Sequence, residues 1–348
     1  MKRKRIRALV LTAGHGTRLR PLTLFLPKPL LPVRGEPVVG HTLRRLAAAG
    51  CETAVLNLHH LPDAIPRCLG SRYHGLRLLY SPEEEIQGTL GALYPQRQVL
   101  AAADVVLVVN GDTWCRWPWK RLIRRHLRSG AAATLLLHRR PPAAELGGGV
   151  GVDARGRVVE LRDVGFAAPP RRRHVFAGAH VFSRELLERL EPGPGDVVSD
   201  LYIPLLRRGG HLDSVVTAAP WYDLGAPERY LEANLAALAG RSLFGRRRCE
   251  ISPLAEVHET ATVVGSVVDD GVRIGEGAHV EGSVVLAGSE VASASRLEHS
   301  VVGPGVHLPP AARIENRMIC RTRLGYQAVP GESVMGELIY TPLAARSS

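Results

Sequence analysis

The sequence predicts an α/β chain. A Rossmann-like, mixed and mostly parallel sheet occupies residues 1–240, a linker 241–256, and a short left-handed parallel β-helix with a C-terminal tail 257–348. Three observations carry that reading. Uninterrupted apolar runs alternate with helix-length amphipathic stretches as far as Gly240, the texture of strands buried on both faces beneath helices. Beyond a basic link at Arg246, Arg247 and Arg248 the texture gives way to a strict short repeat. A glycine-bearing segment follows the first apolar run directly, at the strand end where open α/β sheets meet their ligands.

Taken in order, residues 6–13 read as a buried strand, and 38–49 carry helical spacing that stops at Gly50. Residues 53–58 and 76–81 are further strands, 90–100 a helix, and 104–110 (D-V-V-L-V-V-N) an unbroken apolar strand. Residues 150–162 and 175–182 read as antiparallel additions around a turn at Gly156. Residues 227–239 close the region as a helix, with Pro227 at its start and Gly240 just past its end.

The repeat is the more exacting signal. Apolar residues stand at Val257, Val263, Val268, Ile274, Val280, Val285, Val291, Leu297, Val302, Leu308, Ile314 and Ile319, in steps of 6, 5 and 6 that sum to a 17-residue period. Two positions before most of them stands Ala or Ser, as at Ala255, Ser266, Ser283 and Ser300. A triangular coil requires this pattern, with one aliphatic side chain pointing inward per side and a small residue at each corner.

Composition bounds the function. A chain of 348 residues suits two domains, and with aromatics at 5% its cores are built from Val, Leu, Ala and Ile. The formal charge of +12 suits polyanionic substrates. The arginines are scattered apart from two short runs, 171–173 and 246–248, with no aromatic residues interleaved, so nucleic acid is not the expected partner. Only four lysines occur (Lys2, Lys4, Lys28, Lys120), which raises interest in each. Cys51, Cys68, Cys115, Cys249 and Cys320 stand far apart without zinc spacing and read as buried or half-buried apolar residues in a reducing compartment. The apolar stretch after Lys2-Arg3-Lys4-Arg5 is too short for an export signal, and nothing approaches a membrane span. The expected setting is the cytoplasm.

The chemistry concentrates in Leu11-Thr12-Ala13-Gly14-His15-Gly16-Thr17-Arg18-Leu19, followed by Pro27-Lys28-Pro29-Leu30. Glycines let backbone N–H groups approach phosphate closely, Arg18 offers a planar fork, and Lys28 is a compact cation between two stiffening prolines. Asn110-Gly111-Asp112 follows a buried strand, where open α/β sheets place their ligands, although an ordinary turn accounts for such a residue equally well. Glu83, Glu84 and Glu85 open a segment that reads as a charged solvated turn.

Residues 11–33 resemble the signature of the sugar-phosphate nucleotidyltransferases, A-G-x-G-T-R-L-x-P-L-T…P-K-P-L, and the likeness extends over the whole chain because a β-helix tail is common among members. The resemblance implies an enzyme that joins a nucleoside triphosphate to a sugar 1-phosphate with Mg2+ and releases pyrophosphate. It implies that Leu11, Ala13, Gly14, Gly16 and Thr17 hold the nucleotide, with Arg18 and Lys28 as catalytic cations on its phosphates. Trp221-Tyr222-Asp223-Leu224-Gly225 resembles the family's W-x-D-x-G element, so Asp112 and Asp223 are the implied magnesium ligands. Residues 81–93 resemble the base-recognition segment, which implies nucleotide contacts at Glu85, Gly88 and Thr89. Asn110, Asp163 and Gly178 are the implied sugar-phosphate residues. The expected substrates are GTP with mannose-1-phosphate or a heptose 1-phosphate. The alternatives are UTP or dTTP with another sugar, and a non-catalytic regulatory subunit. One departure stands out. Where the family carries a sugar-phosphate lysine in an E-K-P element, this chain has Leu161-Arg162-Asp163-Val164-Gly165, with valine at the lysine's place. Arg162 is the neighbouring substitute, though adjacent strand residues face opposite ways. His258, His279, His299 and His307 in the β-helix suggest acyl transfer less than they suggest a surface; assembly into a homo-oligomer is the expected role of that domain.

Overall fold

The computed structural model describes residues 4–139, 149–166, 169–239, 249–323 and 325–343. The basic link at 246–248 and the end of the tail at 344–348 lie outside them. Two compact units are formed, one of Met1–His15 with Val38–Tyr222, the other of Gly16–Pro37 with Asp223–Ser348.

In the first unit, four parallel strands run side by side in the order β3 (Leu76–Pro82), β2 (Cys51–Leu58), β1 (Ile6–Leu11), β4 (Val105–Asn110). Their buried residues are mostly Val, Leu and Ala, and Leu9, Val55, Leu107 and Val108 are fully buried. The register sets Leu11 opposite both Asn57 and Asn110, so the carboxyl ends of β1, β2 and β4 finish level. The strand β6 (Arg172–Phe182) joins β4 antiparallel, with Ala179 opposite Val109. It also pairs with β5 (Ala133–His138), whose other edge takes β7 (Leu212–Thr217) in parallel. The expected antiparallel hairpin is present as Val150–Val152 and Val158–Leu161.

Several boundaries differ from the sequence reading. The first strand stops at Leu11 and not at Ala13, because the Thr12 amide donates to the Asn57 side chain in place of a neighbouring strand. The helix expected over 90–100 is broken into Gly88–Leu93, a 3-10 turn at Tyr94–Gln96, and Arg97–Ala101. Pro95 has no N–H to continue an α-helical ladder. Cys51, Cys115 and Cys320 are buried and Cys249 half-buried as expected, but Cys68 is exposed, near the end of the short helix Ala64–Leu69.

In the second unit the 17-residue period is a coil with three parallel faces. One face stacks Ile251, Val268, Val285, Val302 and Ile319 in register. The other two stack Val257, Ile274, Val291 and Leu308, and Val263, Val280, Leu297 and Ile314. The interior positions from Val268 onward are buried, whereas Val257, in the first described coil, is exposed. The first strand, Glu250–Ile251, already falls in the segment expected to be linker.

The small corner residues do more than fit. The Ser266 hydroxyl accepts from the Ser283 amide at 3.1 Å, the Ser283 hydroxyl from the Ser300 amide at 3.0 Å, and the Ser300 hydroxyl from the Arg317 amide at 3.1 Å. Ser289 and Ser295 do the same for Val306 and Ala312. Each serine thus satisfies a backbone donor one coil further on, which alanine cannot do.

Ser283→Ala strands the buried Ser300 amide, and an unsatisfied buried donor costs on the order of 1–3 kcal/mol; chemical denaturation of the full chain is expected to show that loss. A second expectation concerns acid. His180 on β6 is fully enclosed by Phe176, Phe182 and Tyr202, with the Tyr202 hydroxyl 2.7 Å from its Nδ1. Burial lowers its pKa to about 3 and that of His126 to about 4. Below the ordinary histidine range the unfolded chain gains protons that these folded imidazoles refuse. Stability therefore falls as pH drops from about 6.5, by up to about 1.4 kcal/mol per pH unit for each such group. His180→Asn keeps an acceptor for Tyr202 and should flatten this acid limb in urea titrations at successive pH values. An unchanged slope would show that His180 is not its source.

Candidate active site

At the level carboxyl edge of the first unit, the buried Asn57 side chain ties β2 to the loop leaving β1. Its Oδ1 accepts from the Thr12 amide at 2.7 Å, while the Thr12 hydroxyl donates to the Asn57 carbonyl. Asn57 Nδ2 donates to Glu83 Oε1 at 2.9 Å, and Glu83 Oε2 accepts from the Gln87 amide at 3.3 Å. Glu83 is therefore committed to holding the segment 83–87 against β2. Glu84 and Glu85 are exposed, on the rim of an open cleft of about 490 Å³ also lined by Pro82, Gln87 and Gly91. Gly88 has φ +71°, and a Cβ there would stand 2.5 Å from the Gly195 carbonyl oxygen. The Leu90 amide donates to that same carbonyl at 2.9 Å. Gly88 thus serves the close packing of the helix start on the 193–195 loop, and Thr89 follows it half-buried.

The strand β4 delivers Asn110, Gly111 and Asp112. Gly178 sits in left-handed backbone (φ +79°) where β6 breaks register with β5, and a Cβ there would lie 2.7 Å from Asn110 Nδ2. The two implied sugar residues are thus in contact. Trp221 Nε1 donates to the Ala177 carbonyl at 3.1 Å, fixing the strand just before that break. Gly111 is pressed against Thr12, its amide donating to the Leu11 carbonyl at 2.9 Å. Asp112 is half-buried.

The hairpin at 161–165 departs from expectation. Arg162 (φ +48°) and Asp163 (φ +62°) are the two turn residues between paired Leu161 and Val164, so the strand alternation argued for Arg162 does not apply to it. Its guanidinium swings to Asp196 at 3.0 Å. Val164 packs against the main hydrophobic core. Asp163 is exposed at the tip, in the left-handed backbone that Asp adopts more readily than most residues, and this turn accounts for it.

The second unit gathers the signature cations. Gly16 (φ +62°) lies so close to Thr23 and Lys28 that a Cβ would meet Thr23 Cγ2 at 2.9 Å and Lys28 Cβ at 3.3 Å. The Thr23 hydroxyl donates to the Gly16 carbonyl at 2.9 Å. Lys28 is buried, and its Nζ stands 3.3 Å from Asp223 Oδ1. Arg229 Nη1 approaches Asp223 Oδ2 at 3.7 Å. The Arg18 guanidinium lies over Gly225, where a Cβ would be 3.0 Å from its Nη2 and 2.9 Å from Asp223 Oδ2. Arg18, Lys28 and Asp223, distant in sequence, are therefore neighbours; Thr17 is exposed at the start of the 3-10 turn that carries Arg18. The helix Pro227–Ala239 anchors the segment that follows. Tyr230 Oη donates to the Pro32 carbonyl at 2.7 Å, and Asn234 Oδ1 accepts from the Arg34 amide at 3.1 Å.

Asn57, Gly195, Tyr230 and Asn234 were not among the residues expected from sequence. Asn57 had a signal, as the lone amide near the end of an apolar strand; Gly195 had another in Pro192-Gly193-Pro194-Gly195. Gly14 is exposed, and a Cβ on it would meet nothing within 4 Å, so nothing in the fold itself demands glycine there. Among the described residues, no cluster of three or more His, Cys, Asp or Glu is arranged to hold a metal ion. Single carboxylates such as Asp112 and Asp223 suit Mg2+, which keeps waters and takes most of its remaining oxygens from phosphate.

An open α/β sheet with a glycine loop at its carboxyl edge is the architecture of a nucleotide-handling enzyme. Comparison with known proteins specifies it further. A family model described as nucleotidyl transferase matches residues 7–240, and one described as GMPPB C-terminal domain matches residues 246–340. The chain belongs to the nucleotidyl transferase family. It is 30% identical over 278 residues to the mannose-1-phosphate guanylyltransferase catalytic subunit beta of Drosophila melanogaster, covering 78% of this chain and 71% of that protein. It is 28% identical to the mannose-1-phosphate guanyltransferase of Schizosaccharomyces pombe, covering 78% of this chain and 73% of that protein. Among solved structures, HddC from Yersinia pseudotuberculosis complexed with GMP-PN shares the fold, with a TM-score of 0.55 and 22% identity over 66% of this chain and 99% of that one. Among the described residues no helix is long and apolar enough to cross a membrane.

Proposed function

We propose that this chain transfers a guanylyl group from GTP to a hexose 1-phosphate, with mannose-1-phosphate the leading acceptor, and releases pyrophosphate. The observation that carries the reading is the buried Lys28 paired with Asp223 and flanked by Arg18. The names of the most similar relatives supply the base and the sugar.

The difficulty of the reaction is electrostatic. The acceptor phosphate must approach a polyanion, and two unit charges 4 Å apart interact by about 4 kcal/mol at an effective dielectric near 20. No covalent intermediate or side-chain base is required; neutralisation and in-line alignment suffice. Arg18 grips phosphate oxygens through its fork, and the amides of the loop 13–17 cradle them. Lys28, held rigid by its prolines and by Asp223, presents a fixed charge beside the reacting α-phosphate. By the family resemblance Asp112 and Asp223 are each proposed as Mg2+ ligands, the ion supplying further neutralisation of the triphosphate. Glu85, Gly88 and Thr89 line the base and ribose. An exposed carboxylate on the cleft rim can accept from the N1–H and N2–H₂ edge of guanine. Asn110 over Gly178 lets the sugar lie against backbone.

We also infer a homo-oligomer through the β-helix, supported by the exposed Ile251, Leu254 and Val257 of its first coil. A cytoplasmic setting is supported by unpaired thiols at all five cysteines.

The test is pyrophosphate release with Mg2+ and a panel of triphosphates and sugar 1-phosphates. GTP with mannose-1-phosphate should head the panel. Lys28→Ala or Asp112→Ala should lower turnover by roughly 10²–10³-fold, the effect of losing one preorganised electrostatic group. Near-normal rates in both variants would refute the site, and release from UTP or dTTP alone would refute the base.

A further inference from the structure

The family reading leaves His15 without a role, although it stands inside the glycine loop. It is exposed, and the flanking Gly14 and Gly16 place no side chain beside it. Its imidazole is not alone. The His59 ring meets it edge-on at 4.9 Å between centroids with an interplanar angle of 79°, and the His60 ring lies at 6.1 Å and 64°. All three rise from the level carboxyl edge, His15 from the loop after β1 and the other two directly after β2.

His59 is itself fixed. Its Nδ1 lies 3.0 Å from the Glu83 carbonyl oxygen, which can only accept, so Nδ1 carries the hydrogen. The ring is thereby held in one orientation, with Nε2 on the far side. Glu83 is in turn locked by Asn57 and Gln87, so the network that holds the base-side segment also sets the ring against which His15 rests. Three imidazoles this close suit either a metal or an anion. No metal-holding group of three such residues exists among the described residues, and a phosphate oxygen is an acceptor that imidazole N–H groups can serve.

Resting on the proposed function and extending it, we propose that His15 is a polyphosphate contact. Its ring N–H, held outward by His59 and His60 as positioning residues, donates to the β- or γ-phosphate of the incoming triphosphate, the part that departs as pyrophosphate. Such a contact distinguishes a triphosphate from a monophosphate of the same base. It lies apart from the α-phosphate on which substitution occurs, so it acts on binding more than on the chemical step.

The experiment measures affinity of the full chain for GTP and for GMP with Mg2+, alongside steady-state pyrophosphate release. His15→Ala should weaken GTP about tenfold, as loss of a hydrogen bond to a charged group does. GMP affinity should be unchanged, and the effect should fall on the GTP KM with kcat within about twofold. His15→Lys should restore GTP affinity, which a packing role would not permit. His59→Gln, which keeps a donor for Glu83 but loses the ring, should weaken GTP by a smaller factor. Equal losses for GTP and GMP, or no loss for either, would overturn the proposal. An intact chain that binds GTP but is indifferent to His15 defeats this inference alone; an intact chain that binds no GTP defeats the function reading and this inference with it.

Discussion

The ion pair between Lys28 and Asp223 is the constraint on which the signature region depends. A buried ammonium is tolerated only with a partner that replaces its lost hydration, and Asp223 at 3.3 Å is that partner. The surroundings follow from the need to bring the two together. Gly16 is glycine because its backbone runs against Lys28 and Thr23, and Gly225 because a side chain there would collide with Arg18 and Asp223. The hydroxyl of Tyr230 and the amide of Asn234, one turn apart on the helix Pro227–Ala239, hold the chain that continues from Lys28. A motif that reads as a linear string of conserved-looking letters is physically a set of close approaches around one charge.

Much of this was legible in the sequence, and the reason differs by region. The β-helix could be read in detail because each coil repeats the same steric demand every 17 residues. Its start lies one side earlier than the repeat predicts, because Ile251 stands alone in a segment whose neighbours are mostly polar. The strand β4 was legible because burial on both faces leaves only apolar choices. Site contacts were harder. The path Thr12–Asn57–Glu83–Gln87 joins three separate stretches through side-chain hydrogen bonds, which leave no periodic trace. Gly88 was identified by likeness alone, and its physical partner, the Gly195 carbonyl, comes from a loop about a hundred residues on. Arg162 was misjudged because two consecutive left-handed residues convert an apparent strand into a turn.

That turn bears on the acceptor. Val164 packs against the core and Arg162 is engaged by Asp196, so the hairpin offers no lysine where the family resemblance implies one. In the proposed reaction, recognition of the sugar leans on backbone at Gly178 and on the amide of Asn110, groups that read hydroxyls in place of charge. Arg162 does not replace that lysine here, because its guanidinium is engaged by Asp196.

The serine columns of the β-helix carry a consequence for how this domain can change length. Each hydroxyl reaches an amide seventeen positions onward, so a single inserted or deleted residue within a side shifts every later rung off its acceptor and turns inward-facing valines outward. A whole coil, by contrast, can be excised or duplicated with all rungs still meeting. The domain is accordingly extensible only in quanta, and its natural variation should be counted in turns, with stray residues confined to loops that bulge away from the corners.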